Sequence, residues 1–180
     1  MPNLRSTRNQ DFAASFTVGA TASEAVTAVT DVRGWWSGTI RGETNKLGDV
    51  FTYEVPDVHR CTMTLTELLP GRRVVWHVSD SWLGFVQGDT AEWDGTDMVF
   101  DISTTPDGTQ VRFTHVGLAP RVECIDMCSS GWSTYVKSLR SLIVTRHGDP
   151  IRQHDTIDPE WVKLEHLRMR RARAATESKD

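Results

Sequence analysis

The stretch from Pro120 to His147 constrains the fold more than any other part of the chain. Apolar side chains recur at Cys124, Met127, Cys128, Trp132, Tyr135, Leu139, Leu142 and Ile143. Steps of three and four place them on one stripe of a 3.6-residue helix. Lys137, Ser138, Arg140, Ser141 and Arg146 fall on other faces. A helix with so long an apolar stripe must bury it against another element. The segments before it are short and alternate in polarity, as strands do. The partner the helix requires is therefore a sheet, and what lies between the two is the functional question.

The strand series is legible from Asp11 onward. Phe12, Ala14, Phe16 and Val18 share one face of a first strand. Thr21 and Glu24 then form a T-x-x-E capping box, which predicts a short helix over about 23–30 with Ala25, Val26 and Val29 inward. A second short helical turn over 31–38 ends in Trp35 and Trp36. Six further strands are expected at about 39–42, 50–55, 59–69, 73–79, 98–103 and 110–116, with 80–96 as a loop rich in aromatic residues. Pro70-Gly71 and Pro106-Asp107-Gly108 supply turns. Polar outward positions leave one sheet face wet, and the long helix is the only adequate cover for the other. The expected fold is α+β: a curved antiparallel sheet of six to seven strands wrapped around a long terminal helix.

Gly148 and Pro150 are read as the stop of that helix. The expected domain spans 11–150, followed by an extension over 151–180. Asp158-Pro159 starts a short amphipathic helix there, about 159–172, with Trp161, Val162, Leu164, Leu167 and Met169 on its apolar stripe. Four arginines follow the stripe, and 174–180 are expected to be unstructured, as are the polar residues 1–10.

Composition narrows the classes of function. At 180 residues the chain suffices for one domain with an appendage. A net charge of −4 gives no electrostatic case for nucleic acid. The three cysteines, Cys61, Cys124 and Cys128, fit a reducing compartment better than a disulfide framework. No run has the form of a signal peptide or of a membrane span, so a cytoplasmic location is expected. Seven tryptophans point to wide apolar surfaces, in core or cavity.

Several strings resemble the SRPBCC, or START-like, superfamily over about 11–150, and more closely its branch named after the activator of a heat-shock chaperone ATPase. They are Trp35-Trp36-Ser37, then Glu92-Trp93-Asp94-Gly95-Thr96, and above all Phe113-Thr114-His115-Val116-Gly117-Leu118 through Glu123, Cys124, Cys128, Gly131 and Trp132 to Leu139-Arg140-Ser141-Leu142-Ile143. The resemblance implies a helix-grip fold with an apolar cavity between sheet and long helix. Members bind lipids, hormones or polyketides, some catalyse cyclisation or dehydration, and the founding branch member is a cochaperone.

Ligand contact is expected from Trp35, Trp36, Trp82 and Phe85 at the rim, from Phe51, Tyr53, Trp76, Phe100 and Phe113 on the sheet, and from Trp132 and Tyr135 on the helix. A cavity on the order of a few hundred Å³ is one outcome and a solid core the other. His115 with Tyr53 or Tyr135 is a candidate acid/base pair. Equally, His115 is a strand-end histidine bonded to a loop. Cys124 and Cys128 share a helical face, but lack the four-ligand spacing of structural zinc and read as packing. No metal or cofactor is expected. The readings left open are a binder of a small hydrophobic or amphipathic molecule, a cyclase or dehydratase acting on one, and a cochaperone-like interaction module or homodimer built on the extension.

Overall fold

The computed structural model describes residues 10–152 and 155–179; the N-terminal residues expected to fray lie largely outside that range. The elements run β1 (Phe12–Val18), α1 (Ala22–Thr30), α2 (Val32–Trp35), β2 (Val50–Val55), β3 (His59–Leu69), β4 (Arg73–Leu83), β5 (Asp97–Thr105), β6 (Gly108–Val116), α3 (Ile125–Thr145) and α4 (Pro159–Glu177). One six-stranded sheet has the order β1-β6-β5-β4-β3-β2, with every pair antiparallel. The α+β helix-grip arrangement is present, with α3 across the inner face.

The seventh strand is absent among the described residues. Around 39–42 only one bridge forms, between Arg41 and Thr52. Gly42 then takes a left-handed φ of 95°. A Cβ there would collide with the Val50 carbonyl, so the chain turns away after a single pairing. At α1 the capping box forms in full: Glu24 N donates to Thr21 Oγ1 at 3.2 Å, and Thr21 N donates to the Glu24 carboxylate at 2.8 Å.

Helix α3 buries Cys128, Trp132, Val136, Leu139 and Ile143. Two details differ from the sequence reading. The helix ends through Arg146 in the left-handed region rather than at Gly148. Gly148 instead lies so close to the Gly34 carbonyl that a side chain would clash. The returning chain also buries Ser138, whose Oγ accepts from Asp149 N at 2.6 Å.

The extension folds back onto the same core. Ile151 N donates to the Trp36 carbonyl at 3.0 Å, and Gly38 N donates to the Ile151 carbonyl at 2.7 Å. Helix α4 buries Val162 and His166, and Val162 belongs to the core cluster. This helix runs to Glu177, past its expected end and through residues expected to be unstructured. Ala172, Arg173, Ala174 and Ala175 are strong helix formers and carry it on.

Candidate functional site

The site exists because the sheet opens on one side. Strand β4 pairs with β5 only from Arg73 to His77, against Asp97 to Asp101. Beyond that point β3 is the only strand paired with β4, and the loop 84–96 takes its other edge, Val78 N donating to the Thr96 carbonyl at 2.9 Å and Leu83 N to the Thr90 carbonyl at 2.8 Å. A cavity of about 220 Å³ lies there. Tyr53 and Val55 of β2, Val58 and His59 form its sheet side, and the loop contributes Phe85 and Trp93. Helix α3 presents Met127, Cys128, Gly131, Trp132 and Tyr135. Trp36 follows α2, and Ile157, Trp161 and Val162 close the remaining side. Among the described residues no Asp, Glu, Lys or Arg lines it.

The walls are stacked aromatics. Trp36 lies on Tyr53 with ring centroids 4.6 Å apart and 19° between planes, and Trp93 lies parallel to Trp132 at 5.9 Å. The Tyr53 and Tyr135 hydroxyls are 3.4 Å apart. Burial raises both phenols above their ordinary range, so both stay protonated near neutrality. His59 stands edge-on to Trp93 at 4.4 Å and to Tyr53 at 5.2 Å. Burial pushes its imidazole down to about 3, so it is neutral.

His115 lies behind this wall. Trp132 Nε1 donates to His115 Nδ1 at 3.0 Å, which leaves the proton on Nε2. That nitrogen donates to Thr96 Oγ1 at 2.9 Å, and the threonine hydroxyl donates to the Trp93 carbonyl at 2.6 Å. One imidazole thus ties β6 to both α3 and the loop, and sets the two wall tryptophans. Its burial, and secondarily the neighbouring His59, lower it to about 3.

The expected ligand-contact residues divide into three sets. Trp36, Tyr53, Phe85, Trp132 and Tyr135 come together on the cavity wall. Trp35, Phe51, Trp76, Phe100 and Phe113 pack one layer behind: Trp76 stacks on Trp35 at 6.1 Å, and Phe100 meets Trp76 and Phe113 at 4.9 Å each. Trp82 is on the outer face, beside Glu54, Asp57 and Arg60. The reason is a β-bulge. Met63 faces Val78 while Thr62 faces Asp80, leaving Ser79 unpaired. One extra residue reverses the alternation, so Ser81 and Leu83 turn inward and Trp82 outward. The proposed pairing of His115 with Tyr53 or Tyr135 does not form; Trp132 stands between, 5.9 Å from His115 and 6.0 Å from Tyr135.

Sequence reasoning missed His59, Trp93 and the group from the extension. His59 was within reach, since it shares the parity of Cys61, Met63 and Leu65 on β3. Nothing in the sequence says where the α4 stripe docks. Its anchor is Glu123, whose carboxylate accepts from Gln87 N and Gly88 N at 3.0 Å each, from His166 Nε2 at 3.1 Å and from Arg170 Nη1 at 2.8 Å. Glu92 likewise caps α3, accepting from Glu123 N and from Cys124 N, the latter at 2.9 Å. Cys124 and Cys128 are free and buried. No group of three or more His, Cys, Asp or Glu side chains suited to a metal occurs among the described residues. No described helix is long and apolar enough to cross a membrane.

A curved antiparallel sheet gripping a terminal helix around an aromatic cavity defines a domain of the SRPBCC type, a ligand-binding fold. The chain belongs to the family described as activator of Hsp90 ATPase homolog 1-like protein, whose profile matches residues 24–143. No curated protein matches the sequence. Among solved structures, the chain is similar to the Aha1 dimer from Colwellia psychrerythraea, with 20% identity and a TM-score of 0.60 over 75% of this chain and 96% of that one. DynU16, a protein in the dynemicin biosynthetic locus, gives 16% identity and a TM-score of 0.57 over 76% of this chain and 48% of that one. CalU16 from Micromonospora echinospora gives 16% identity and a TM-score of 0.53 over 88% and 84%. At these identities the likeness establishes the fold alone.

Proposed function

We propose that the protein binds a small hydrophobic or amphipathic molecule in the cavity between β2, β3, α3 and α4. The observation that carries this reading is the about 220 Å³ cavity, with aromatic and aliphatic walls and no charged lining residue. An apolar ligand seated in a pocket with such walls removes their apolar surface from water. The place of DynU16 in a biosynthetic locus is in keeping with a small-molecule ligand. The binding form of this reading is favoured over the cyclase or dehydratase form. His59 and His115 are both pushed down to about 3, and Tyr53 and Tyr135 are both raised. The wall therefore offers no group that exchanges a proton readily near neutral pH.

Gly131 provides the test. A Cβ there meets only Tyr135, at 3.7 Å. Gly131→Leu fills the cavity without a backbone clash and replaces a helical glycine, a change worth roughly 1 kcal/mol in favour of the helix. The uncharged fluorophore prodan is expected to bind the native protein with a blue-shifted emission. It is expected not to bind the equally or more stable Gly131→Leu protein. Unchanged prodan binding by that variant removes the cavity reading.

Exposed Trp161 and Leu164 on α4, at 58% and 67%, together with the dimeric Colwellia Aha1 relative, support self-association through the extension as the partner arrangement. Removal of α4 is then expected to yield a monomer in sedimentation. The three unpaired cysteines support a reducing, cytoplasmic setting.

A further inference from the structure

Helix α4 makes one wall of the pocket, yet little of it is held there by apolar contact. Val162 and His166 are its buried side chains. Trp161 lines the pocket while 58% of it stays exposed, and Leu164 is 67% exposed. The rest of the attachment is mainly polar. His166 Nε2 and Arg170 Nη1 donate to the Glu123 carboxylate at 3.1 and 2.8 Å, and Arg173 Nε lies 3.3 Å from the Asp126 carboxylate. Partly exposed ion pairs hold weakly, and a helix with so little buried apolar surface belongs to the segments that open locally before the whole domain unfolds.

The same attachment reaches the pocket from a second direction. Glu123 lies outside the pocket lining, but its carboxylate also accepts from Gln87 N and Gly88 N. Those amides belong to the loop that presents Phe85, and the Phe85 ring meets that of His166 at 5.1 Å. One carboxylate therefore positions the Phe85 wall and the α4 wall together. The pocket between them is half open, so an occupant touches α4 through Ile157, Trp161 and Val162 and covers apolar surface that the protein leaves wet. Contacts that exist only while α4 is docked favour the docked helix. Thermodynamic linkage makes the effect mutual: what the ligand adds to docking, docking adds to ligand binding.

We propose that α4 is a ligand-coupled clasp: it is latched through Glu123, it opens locally when the pocket is empty, and an apolar occupant fastens it by packing on Trp161. This coupling rests on the binding reading above and concerns how the same site is regulated. Glu123 is a positioning residue that acts through His166, Arg170 and the 84–96 loop. Trp161 is the ligand-contact residue that the extension adds.

The test is trypsin cleavage of the full chain with and without prodan, with initial rates at each site read by mass spectrometry. Helix α4 carries Lys163, Arg168, Arg170, Arg171 and Arg173 as cleavage sites, and Arg112 within β6 reports global unfolding. Without prodan, cleavage within 163–173 is expected to outpace cleavage at Arg112 by about tenfold or more, because local opening is the less costly event. Prodan at about ten times its Kd is expected to slow cleavage within 163–173 about tenfold. Glu123→Gln keeps an acceptor for the loop amides but drops the charge, and is expected to speed that cleavage about tenfold, with prodan still slowing it. A latch that serves the fold alone predicts the faster cleavage without the prodan effect. Trp161→Ala is expected to weaken prodan binding about fivefold or more, and with the native-protein rates it carries the test if the Glu123 variant fails to fold. Cleavage within 163–173 no faster than at Arg112, a rate there unchanged by bound prodan, or undiminished prodan affinity in Trp161→Ala overturns the clasp and leaves the binding reading standing. Absence of prodan binding by the native protein overturns both.

Discussion

Two neutral histidines in the core make the protein labile to mild acid, and the size of the effect follows from their burial. His59 and His115 are each pushed down to about 3 from an ordinary 6.5. The folded protein therefore resists their protonation, whereas the unfolded chain accepts a proton at each as the pH drops below 6.5. Their contribution to stability is fully present above that value, and is lost progressively as the pH falls from 6.5 toward 3. From pH 8 to 5.5 each histidine costs about 1.4 kcal/mol, or about 3 kcal/mol for the pair. That is a large share of a typical stability of roughly 5–15 kcal/mol. Carboxylates of ordinary pKa near 4 contribute little in this window. Urea unfolding followed by tryptophan fluorescence at pH 8, 7, 6 and 5.5 measures the loss. His59→Phe separates the two groups, because His59 Nε2 has no partner to lose and the ring contacts with Tyr53 and Trp93 are available to phenylalanine. That variant is expected to lose only about 1.4 kcal/mol over the same range. A native protein that changes by less than about 1 kcal/mol, or a His59→Phe protein that still loses about 3, refutes the reasoning.

Other perturbations separate structural roles. Glu92→Ala removes the cap on α3 and is expected to cost about 1–2 kcal/mol in denaturant unfolding, since Cys124 supplies no side-chain cap of its own. Glu123→Ala leaves buried His166 and the Gln87 and Gly88 amides without their acceptor. An expected cost of about 2–4 kcal/mol should appear first as proteolytic cleavage within 155–179. For Glu123 itself burial acts to raise the pKa, but the Gln87 amide, His166, the Gly88 amide and the Arg170 charge together hold it below the ordinary 4.5. The clamp is thus fully present above 4.5 and weakens as the pH falls through the lower folded value. Trp132→Ala opens the core and is expected to cost roughly 3–5 kcal/mol and abolish prodan binding. Trp82→Ala, on the outer face, should cost about 1 kcal/mol or less and leave binding intact.

Much of the fold was legible in the sequence because its determinants are local. Alternation fixed the inward faces of β2 and β3, the capping box fixed the start of α1, and the 3.6-residue stripe fixed α3. Where the sequence reading departed from the structure, the cause was pairing between distant segments. Trp82 was expected on a rim loop over 80–96, but β4 runs on to Leu83 beside β3, and the extra residue at Ser79 turns Trp82 outward. The run 39–42 has strand-like residues but one partner bridge. Glu92 reads as part of a loop motif, and its capping role appears only when α3 arrives above it.

The site was less legible than the fold because it is assembled from five segments far apart in the chain, one of them outside the family match. Residues 24–143 are those the family profile covers, and they include Trp36, Tyr53, His59, Trp93 and Trp132. Ile157, Trp161 and Val162 also line the cavity, yet lie beyond that match. The amphipathic stripe of 159–172 was visible, but a stripe states only that a face must be covered. Its position here is set by Glu123, which holds His166 and Arg170 of α4 and the amides of the 84–96 loop at once. One carboxylate at the start of α3 therefore determines both how far the loop bends inward with Phe85 and where α4 lays Val162. The matched portion supplies an aromatic wall, and the extension adds Ile157, Trp161 and Val162 to it.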